Sequence, residues 1–299
     1  GKLYKYMGFN INTLKWLVKN EVFYQNPQNF NDPLDCNPSI INNLEVGALD
    51  YLCEHLINVS RGEKSAEKEM NSLRYNYSEH GDITIKDSEA QKGYIWGVNL
   101  KIESLLFEEF TSNGVLSLTE NWKSPLMWSH YADYHKGICI EYDIQNGTLN
   151  NSTAPFQVNY NGARGILTSD IYNWKISNSA DAENRVREVF FLSKAPEWEY
   201  ESEWRCVSGE VGVHFSAFPI SAVYFGMQCE QPVVSTLVKL FDNIKPIDFY
   251  IVKPNRNSFD LYREDIDKEY IAAFPIQESP YQIFKDIGRP LSNPLKKSR

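Results

Sequence analysis

The spacing of apolar and polar positions at the start of the chain predicts a strand, a helix and a second strand in quick succession. Residues 3–7 alternate apolar and polar-tipped side chains, which is typical of a short β-strand, and residues 22–24 form a second such run. Between them, the apolar positions of residues 14–18 keep the spacing of an amphipathic helix. The loop that follows, residues 26–35, contains two prolines and several Asn and Asp residues, which favour tight turns.

Residues 38–110 have the pattern of a helical insertion. Pro38 suits the first position of a helix, and two runs of apolar residues at helical spacing follow, separated by the polar residues 61–90. The first run is Ile41, Leu44, Leu49, Leu52, Cys53, Leu56 and Ile57, and the second is Ile95, Val98, Ile102, Leu105 and Leu106. We interpret these residues as an insertion or lid within a single α+β domain of residues 1–260, which a C-terminal extension, residues 261–299, follows.

The remainder of the domain mixes short strand patterns with helices. Strands are predicted at residues 115–120, 137–143, 156–160, 211–215, 222–225 and 249–252, and helices at 125–133, 169–195 and 233–241. No internal repeat is visible. The order of elements predicts an α+β fold with a mixed β-sheet as its core.

One further predicted strand, residues 198–207, combines an apolar face with a charged face. Because side chains alternate along a strand, Glu201, Glu203 and Arg205 would share one face, while Trp204 and Cys206 would lie on the other. Carboxylates two residues apart on a strand lie roughly 6.6 Å apart, within reach of one small ligand. Such a row is compatible with a solvated surface, so its role depends on what the rest of the chain places beside it.

Composition and charge limit the classes of function. The chain has 299 residues, of which 42% are hydrophobic and 14% aromatic, which is typical of a globular protein. Its net charge of −9 argues against broad, non-specific nucleic-acid binding, although a local basic groove remains compatible with it. Five widely spaced cysteines without a C-x-x-C motif favour reduced thiols, and no apolar run is long enough for a membrane span. We therefore expect a cytoplasmic protein with no membrane partner.

Polar side chains of the types used in catalysis and ligand binding occur at strand ends and in tight loops. They are Tyr4, Tyr6, Asn31, Asp32, Ser117, His130, Tyr131 and the row of Glu201, Glu203 and Arg205. Each has a structural interpretation on its own, as a core tyrosine, a turn residue or a surface ion pair. Together they suggest one cleft. The five histidines form no metal-binding motif, so no metal site is predicted from them.

Four of these segments resemble a family of bacterial and phage proteins, domain-of-unknown-function family 2971. The segments are Leu3-Tyr4-Lys5-Tyr6, the loop Asn29-Phe30-Asn31-Asp32-Pro33-Leu34-Asp35, the run from Leu126 to Gly137, and Tyr200-Glu201-Ser202-Glu203-Trp204-Arg205. They occur in the family's order and span about residues 3–255. The family has no established activity, so the resemblance alone implies none.

The order of elements is also similar, more distantly, to the mono-ADP-ribosyltransferase fold. That fold has a split β-sheet core, with a nicotinamide-site residue on an early strand, Ser-x-Thr on a middle strand and Glu-x-Glu on a late strand. Residues 4–6, Ser117-Leu118-Thr119 and Glu201-Ser202-Glu203 fall in those places. The resemblance implies an enzyme that uses NAD, to transfer ADP-ribose to a macromolecular acceptor or to hydrolyse the nicotinamide bond, in a toxin or phage-defence effector.

This resemblance assigns expected roles within the cleft. Glu203 is the first candidate for the catalytic carboxylate and Glu201 the second, since a carboxylate stabilises an oxocarbenium-like centre. The other members of the expected NAD site are Tyr4, Tyr6, Asn31, Asp32, Ser117, His130 and Tyr131. The first strand has no His or Arg at the place where these transferases usually hold NAD, so Lys5 or Arg205 would take over the contact with the phosphate or ribose.

Two alternatives remain open from the sequence. In the first, Asp32, Asp35 and Glu203 hold a divalent ion in a metal-dependent hydrolase or nuclease. In the second, the protein has no catalytic activity, and its acidic surface and exposed aromatic residues bind a partner.

Overall fold

The structure, a computed structural model, describes residues 1–150, 153–241 and 247–272. The strands in these ranges are β1 Lys2–Met7, β2 Glu21–Tyr24, β3 Ser39–Ile41, β4 Gly114–Thr119, β5 Ile138–Asp143, β6 Phe156–Gln157, β7 Gly165–Leu167, β8 Glu203–Ser208, β9 Gly212–Phe215, β10 Ile220–Phe225, β11 Asp248–Pro254 and β12 Leu261–Asp265. The α-helices are α1 Ile11–Lys19, α2 Val46–Arg61, α3 Glu63–Ser78, α4 Glu89–Phe110, α5 Pro125–Tyr131, α6 Thr168–Lys175, α7 Ala180–Leu192, α8 Gln231–Phe241 and α9 Lys268–Ala272.

Eight of the strands form one mixed sheet, in the order β12-β11-β10-β5-β1-β4-β8-β6. Strands β10 and β11 run parallel, and the chain between them includes α8, which fits the crossover that a parallel pair requires. The neighbouring pairs elsewhere in this sheet are antiparallel. The predicted combination of a mixed β-sheet with several helices is confirmed.

Alternation along the strands separates two faces of this sheet. On one face, Leu3 and Ile140 join a core with Leu17 of α1 and Leu237 of α8. On the other face, Tyr4, Tyr6, Cys139 and Tyr224 form a second cluster with Trp128 of α5. A third core lies among α2, α3, α4, α6 and α7, and includes Leu52, Ile102 and Phe190. Within the described residues, no helix is long and apolar enough to cross a membrane.

The sheet opens between β1 and β4. These strands are in register at one residue pair, Tyr4 opposite Thr119, whereas Val115 of β4 pairs with Gln25 instead. Between these two contacts, the carbonyl of Ser117 accepts a hydrogen bond from the ammonium group of Lys5 at 2.8 Å. A side chain thus takes the place that a neighbouring backbone has elsewhere in the sheet, and the gap leaves room for a cleft.

The predicted strand over residues 198–207 is wrong in its first half. Residues Pro196–Glu201 form a 3₁₀ helix that ends at Ser202, whose φ of 44° is left-handed, and β8 begins at Glu203. Proline suits the first helical position, and the hydroxyl of Thr119 donates to the carbonyl of Glu201 at 2.6 Å. Glu201 therefore lies at the end of this 3₁₀ helix and not on the strand that carries Glu203.

The predicted helix boundaries also need correction. No helix begins at Pro38: β3 pairs in parallel with β7, and α2 begins at Val46. The polar stretch of residues 61–90, expected to be a connection, contains α3. The predicted helix of residues 169–195 is two helices, because Asn178 adopts a left-handed φ of 55° and Ser179 caps α7.

The predicted C-terminal extension begins with an edge strand of the main sheet. Strand β12 pairs with β11 from Leu261 to Asp265, and α9 follows. Residues 273–299, which include the basic end Lys296-Lys297-Ser298-Arg299, lie outside the described residues. The division of the chain at residue 260 stays a prediction.

Candidate functional site

The opening between β1 and β4 leads into a cleft of about 240 Å³. The side chains that line it come from both strands, from the loop after β2, from α5 and from the segment between α7 and β8. They are Tyr4, Lys5, Tyr6, Gln25, Asn29, Phe30, Asn31, Asp35, Ser117, Leu118, Thr119, Met127, Tyr131, Lys194, Glu201, Glu203 and Arg205. Most of the residues predicted for one cleft thus lie in one cleft.

Strand register places two of the charged residues on the floor of this cleft. In the antiparallel pair of β4 and β8, Glu203 lies opposite Thr119 and Arg205 lies opposite Ser117. Paired residues share a face of the sheet, so both charged side chains lie on the side of Ser117 and Thr119. Both are buried, Glu203 at 4% and Arg205 at 0% exposure. Asp35, Lys194 and Glu201 join them, and we call these five residues the floor network.

Arg205 is the centre of the floor network, and each of its N–H donors has a partner within the protein. A guanidinium group carries five N–H donors. Two of them contact Glu203 at 2.8 and 2.9 Å, two contact Asp35 at 2.8 and 2.6 Å, and the fifth contacts the carbonyl of Phe191 at 2.8 Å. No N–H of Arg205 is left for a ligand, so the expected contact with phosphate or ribose would require this arrangement to break.

Lys194 is the second cation of the floor network and lies close to all three of its carboxylates. Its ammonium contacts Glu201 at 2.5 Å and Glu203 at 3.0 Å, and lies 3.6 Å from Asp35. Burial raises the pKa of Glu203, but the cationic Arg205 and Lys194 lower it more, to about 2. Burial lowers the pKa of Lys194, and the attraction of Glu203 and Glu201 more than offsets this, so the pKa lies above its ordinary value. The carboxylate of Glu203 and the ammonium of Lys194 are therefore both charged at neutral pH.

Tyr131 connects Glu201 to the mouth of the cleft. Its hydroxyl donates to Glu201 at 2.6 Å and accepts from the amide of Asn31 at 3.3 Å. Burial raises the pKa of Tyr131, and the hydrogen bond to Glu201 adds to this shift, so the hydroxyl keeps its proton. Asn31 is exposed while Glu201 is 4% exposed, so this chain of hydrogen bonds runs from solvent to the buried carboxylate.

Lys5 is a third basic side chain beside the three carboxyl groups of the network. Its ammonium donates to Ser117 at the opening of the sheet. Burial lowers the pKa of Lys5 below its ordinary value, and attraction to Glu203 and Glu201 offsets only part of that shift. The cleft thus places three basic side chains beside three acidic ones.

The predicted site residues divide into two groups. The structure brings together Tyr4, Lys5, Tyr6, Asn31, Ser117, Tyr131, Glu201, Glu203 and Arg205 around the cleft. Asp32 and His130 are not among the lining residues. Asp32 accepts a hydrogen bond from the indole of Trp198 at 2.8 Å, and His130 is exposed beside the rings of Tyr131 and Tyr200.

Lys194 was not predicted from the sequence, and Asp35 was predicted as a possible ligand of a divalent ion and not as a partner of Arg205. Lys194 lies two residues after the end of α7 and has a side chain that is only 4% exposed. A lysine in the short segment between a helix and a proline has no pattern that marks it as buried. Asp35 ends the Asn29–Asp35 loop that resembles the family. Its partner Arg205 is 170 residues away, so only the folded chain brings the two together.

The geometry gives no support to the metal alternative, which required Asp32, Asp35 and Glu203. The carboxylates of Asp35 and Glu203 bind Arg205 through both oxygens, and Asp32 binds Trp198. Among the residues that the structure describes, no group of three or more His, Cys, Asp or Glu side chains could hold a metal ion.

The cleft is smaller than the pockets that enclose a whole drug-sized ligand. Pockets that bury drug-sized ligands have volumes of about 300–1,000 Å³. At about 240 Å³, this cleft would enclose one end of a larger ligand and leave the remainder outside. Phe30 and Tyr131 supply aromatic surface, and Asn29 and Asn31 supply amide groups. The cleft therefore offers both aromatic surface and amide groups to a ligand.

Comparison with known proteins supports a family without an assigned activity. Residues 127–206 match the model of a family described as "Protein of unknown function (DUF2971)". The matched segment runs from α5 to β8 and includes Tyr131, Lys194 and the Glu201–Arg205 segment, so it covers one wall and most of the floor of the cleft. The predicted resemblance to this family is confirmed over these residues. No curated protein and no solved structure matches the chain.

Proposed function

We propose that the protein is an ADP-ribosyltransferase-like enzyme. It would bind the nicotinamide-ribose end of NAD in the cleft and break the bond between the nicotinamide and the ribose. The observation that carries this proposal is the pair of buried carboxylates, Glu201 and Glu203, that meet at the ammonium of Lys194 on the cleft floor. A lowered pKa keeps Glu203 ionised. Negative charge fixed in a site largely shielded from water stabilises a cationic transition state more strongly than the same charge does in water.

The reaction needs no oxidant or reductant. The bond between C1′ of the ribose and the ring nitrogen breaks, and its electron pair moves to that nitrogen, so nicotinamide leaves as a neutral molecule. Positive charge then develops at C1′ and the ring oxygen, as in glycoside cleavage. The oxygen of water, or a nucleophilic atom of an acceptor, forms the new bond to C1′ and releases a proton.

Geometry favours Glu201 as the carboxylate that faces the ribose. Glu203 already accepts from Arg205 through both oxygens and from Lys194 through one of them. Glu201 accepts from Lys194 and from Tyr131, a residue that also reaches the mouth of the cleft. A hydroxyl of the ribose can replace the Tyr131 hydroxyl on Glu201 without exposing a buried cation. Glu203 would then fix the position of Lys194 and the charge of the floor.

The remaining cleft residues would position the ligand. Phe30 and Tyr131 would pack against the nicotinamide ring, and Asn31 would bind its carboxamide. An ammonium carries three N–H donors, so Lys5 can bind a ligand oxygen and still donate to Ser117. Arg205 would act as a clamp on the floor and not as a phosphate contact.

The test is release of nicotinamide from NAD by the purified protein. We expect Glu201→Gln to lower the rate at least about 100-fold, since removal of one electrostatic contact to a transition state costs about that much. Glu199→Gln is the matched control, because Glu199 is exposed on the same 3₁₀ helix, two residues earlier. That variant should release nicotinamide at the wild-type rate.

Two results would overturn the proposal. If the folded wild-type protein releases no nicotinamide with or without candidate acceptor proteins, NAD is not its substrate. If Glu201→Gln and Glu203→Gln both keep full activity, the floor of the cleft is not the reaction site.

A further inference from the structure

A second group of charged and aromatic side chains lies on the same face of the sheet, outside the floor network. The ring of Trp122 lies 5.0 Å from that of Tyr224, which lies 5.0 Å from that of Tyr250, measured between centroids. The guanidinium carbon of Arg263 lies 4.0 Å from the centroid of Tyr250, 5.3 Å from Tyr224 and 5.8 Å from Trp122. Three rings thus surround one cation, and we call them the aromatic cage.

A buried carboxylate lies next to the aromatic cage. Glu141 is 8% exposed and accepts hydrogen bonds from Tyr224 and from Ser221, both at 2.7 Å. Burial raises the pKa of Glu141, but the hydrogen bonds from Tyr224 and Ser221 and the attraction of Lys2 lower it more, so the group stays ionised at neutral pH. Its carboxylate lies 4.0 Å from the guanidinium of Arg263. Both the rings and this charge attract a cation.

The cation that fills the cage comes from the edge of the sheet. Arg263 lies on β12, where every residue from Tyr262 to Asp265 is exposed, and its own side chain is 39% exposed. The guanidinium is therefore open to solvent on one side. An external cation can approach from that side if Arg263 withdraws, and no strand has to move.

We propose that the aromatic cage is a binding site for an arginine side chain of a partner protein, and that Arg263 occupies it as a tethered competitor. The planar guanidinium is the favoured ligand because Arg263 lies over the ring of Tyr250 and also donates a hydrogen bond to the hydroxyl of Tyr224. A quaternary ammonium has no N–H group to make that bond. Tyr4 lines the cleft and packs edge-on against Tyr224 at 5.8 Å, so a partner bound at the cage would lie beside the cleft.

The test is titration of methylguanidinium, followed by calorimetry, into the wild-type protein and into Arg263→Thr. Threonine suits an exposed edge strand and is too short to reach the rings. Because a tethered competitor acts at a high effective concentration, we expect Arg263→Thr to bind the probe at least about tenfold more tightly than the wild-type protein does. Arg263→Thr/Tyr250→Leu should lose that gain, and tetramethylammonium should bind more weakly than methylguanidinium.

Thermal unfolding of each variant shows whether it is folded. If Arg263→Thr does not fold, Arg263→Ala takes its place, and we call either one the vacated variant because Arg263 no longer fills the cage. The proposal is overturned if a folded vacated variant binds methylguanidinium no better than the wild type does. It is equally overturned if the Tyr250→Leu change leaves the binding unaffected. If tetramethylammonium binds as well as methylguanidinium, the arginine assignment is wrong. None of these titrations involves NAD, so they stand apart from the test of the proposed function.

Discussion

The floor network and the ion pairs of the helical region use the same residue types in opposite surroundings. In the floor network, Arg205 has a side chain that is 1% exposed and all its donors are bound. Between α6 and α7, Arg185 contacts Asp170 at 2.8 Å, a similar distance, but its side chain is 52% exposed. Water can replace a partner at the second pair and cannot replace one at the first. Burial, and not the contact distance, decides how much each pair matters.

The largest effect that this comparison predicts is the loss of Arg205. Arg205→Met keeps apolar bulk but leaves Asp35 and Glu203 buried without their main cation. Breaking a buried ion pair by removing one partner costs about 3–5 kcal/mol, so we expect a loss of that size in the free energy of unfolding. Denaturation by urea would measure it.

Arg205→Lys sharpens this result. A lysine retains the positive charge but has three donors in place of five and lacks the planar fork. It should recover only part of the lost stability. Full stability in Arg205→Met would contradict the view that the floor depends on this clamp.

The next effect concerns acid. The pKa of Glu203 is about 2 in the fold against an ordinary value of 4.5, so the unfolded chain binds more protons between these pH values. The resulting stabilisation is complete above about pH 5 and is lost as the pH falls towards 2. The pKa shift of Glu203 corresponds to a contribution on the order of 3 kcal/mol to the free energy of unfolding.

Glu203→Gln removes that titration, so its free energy of unfolding should fall less steeply between pH 5 and pH 3 than that of the wild-type protein. Urea denaturation at several pH values gives both slopes. Equal slopes would mean that Glu203 titrates normally in the fold.

The smallest effect is expected at the exposed pair. Arg185→Met removes the contact with Asp170, and exposed ion pairs contribute about 0–1 kcal/mol. The same urea experiment measures this change directly beside Arg205→Met. If the two substitutions cost the same, burial does not explain the difference between the two regions.

Local pattern was enough to predict part of this structure. The mixed sheet with helices, and eight of the residues that line the cleft, followed from alternation and from motifs at strand ends. A ninth residue, Lys5, came from the resemblance to the ADP-ribosyltransferase fold. Glu203 and Arg205 share a face because a strand allows nothing else, so their alignment was predictable.

Other features depend on contacts that pattern does not record. Glu201 seemed to continue the strand because Tyr and Trp favour strands, but a 3₁₀ helix beginning at Pro196 presents it instead. The burial of Lys194, and the pairing of Asp35 with Arg205, arise from elements far apart in the chain. The pattern predicted a charged row that is open to a ligand, whereas in the folded chain most of these charged groups bind other charged side chains.

The most direct test of the central claim is calorimetric titration of NAD into the wild-type protein, Tyr131→Ala and Tyr75→Ala. Tyr131 forms part of the cleft wall, whereas Tyr75 is 66% exposed on α3 and is absent from the lining of the cleft. We expect the wild-type protein and Tyr75→Ala to bind NAD alike, and Tyr131→Ala to bind it at least about tenfold more weakly. If NAD does not bind the wild-type protein, or binds Tyr131→Ala unchanged, the cleft is not an NAD site.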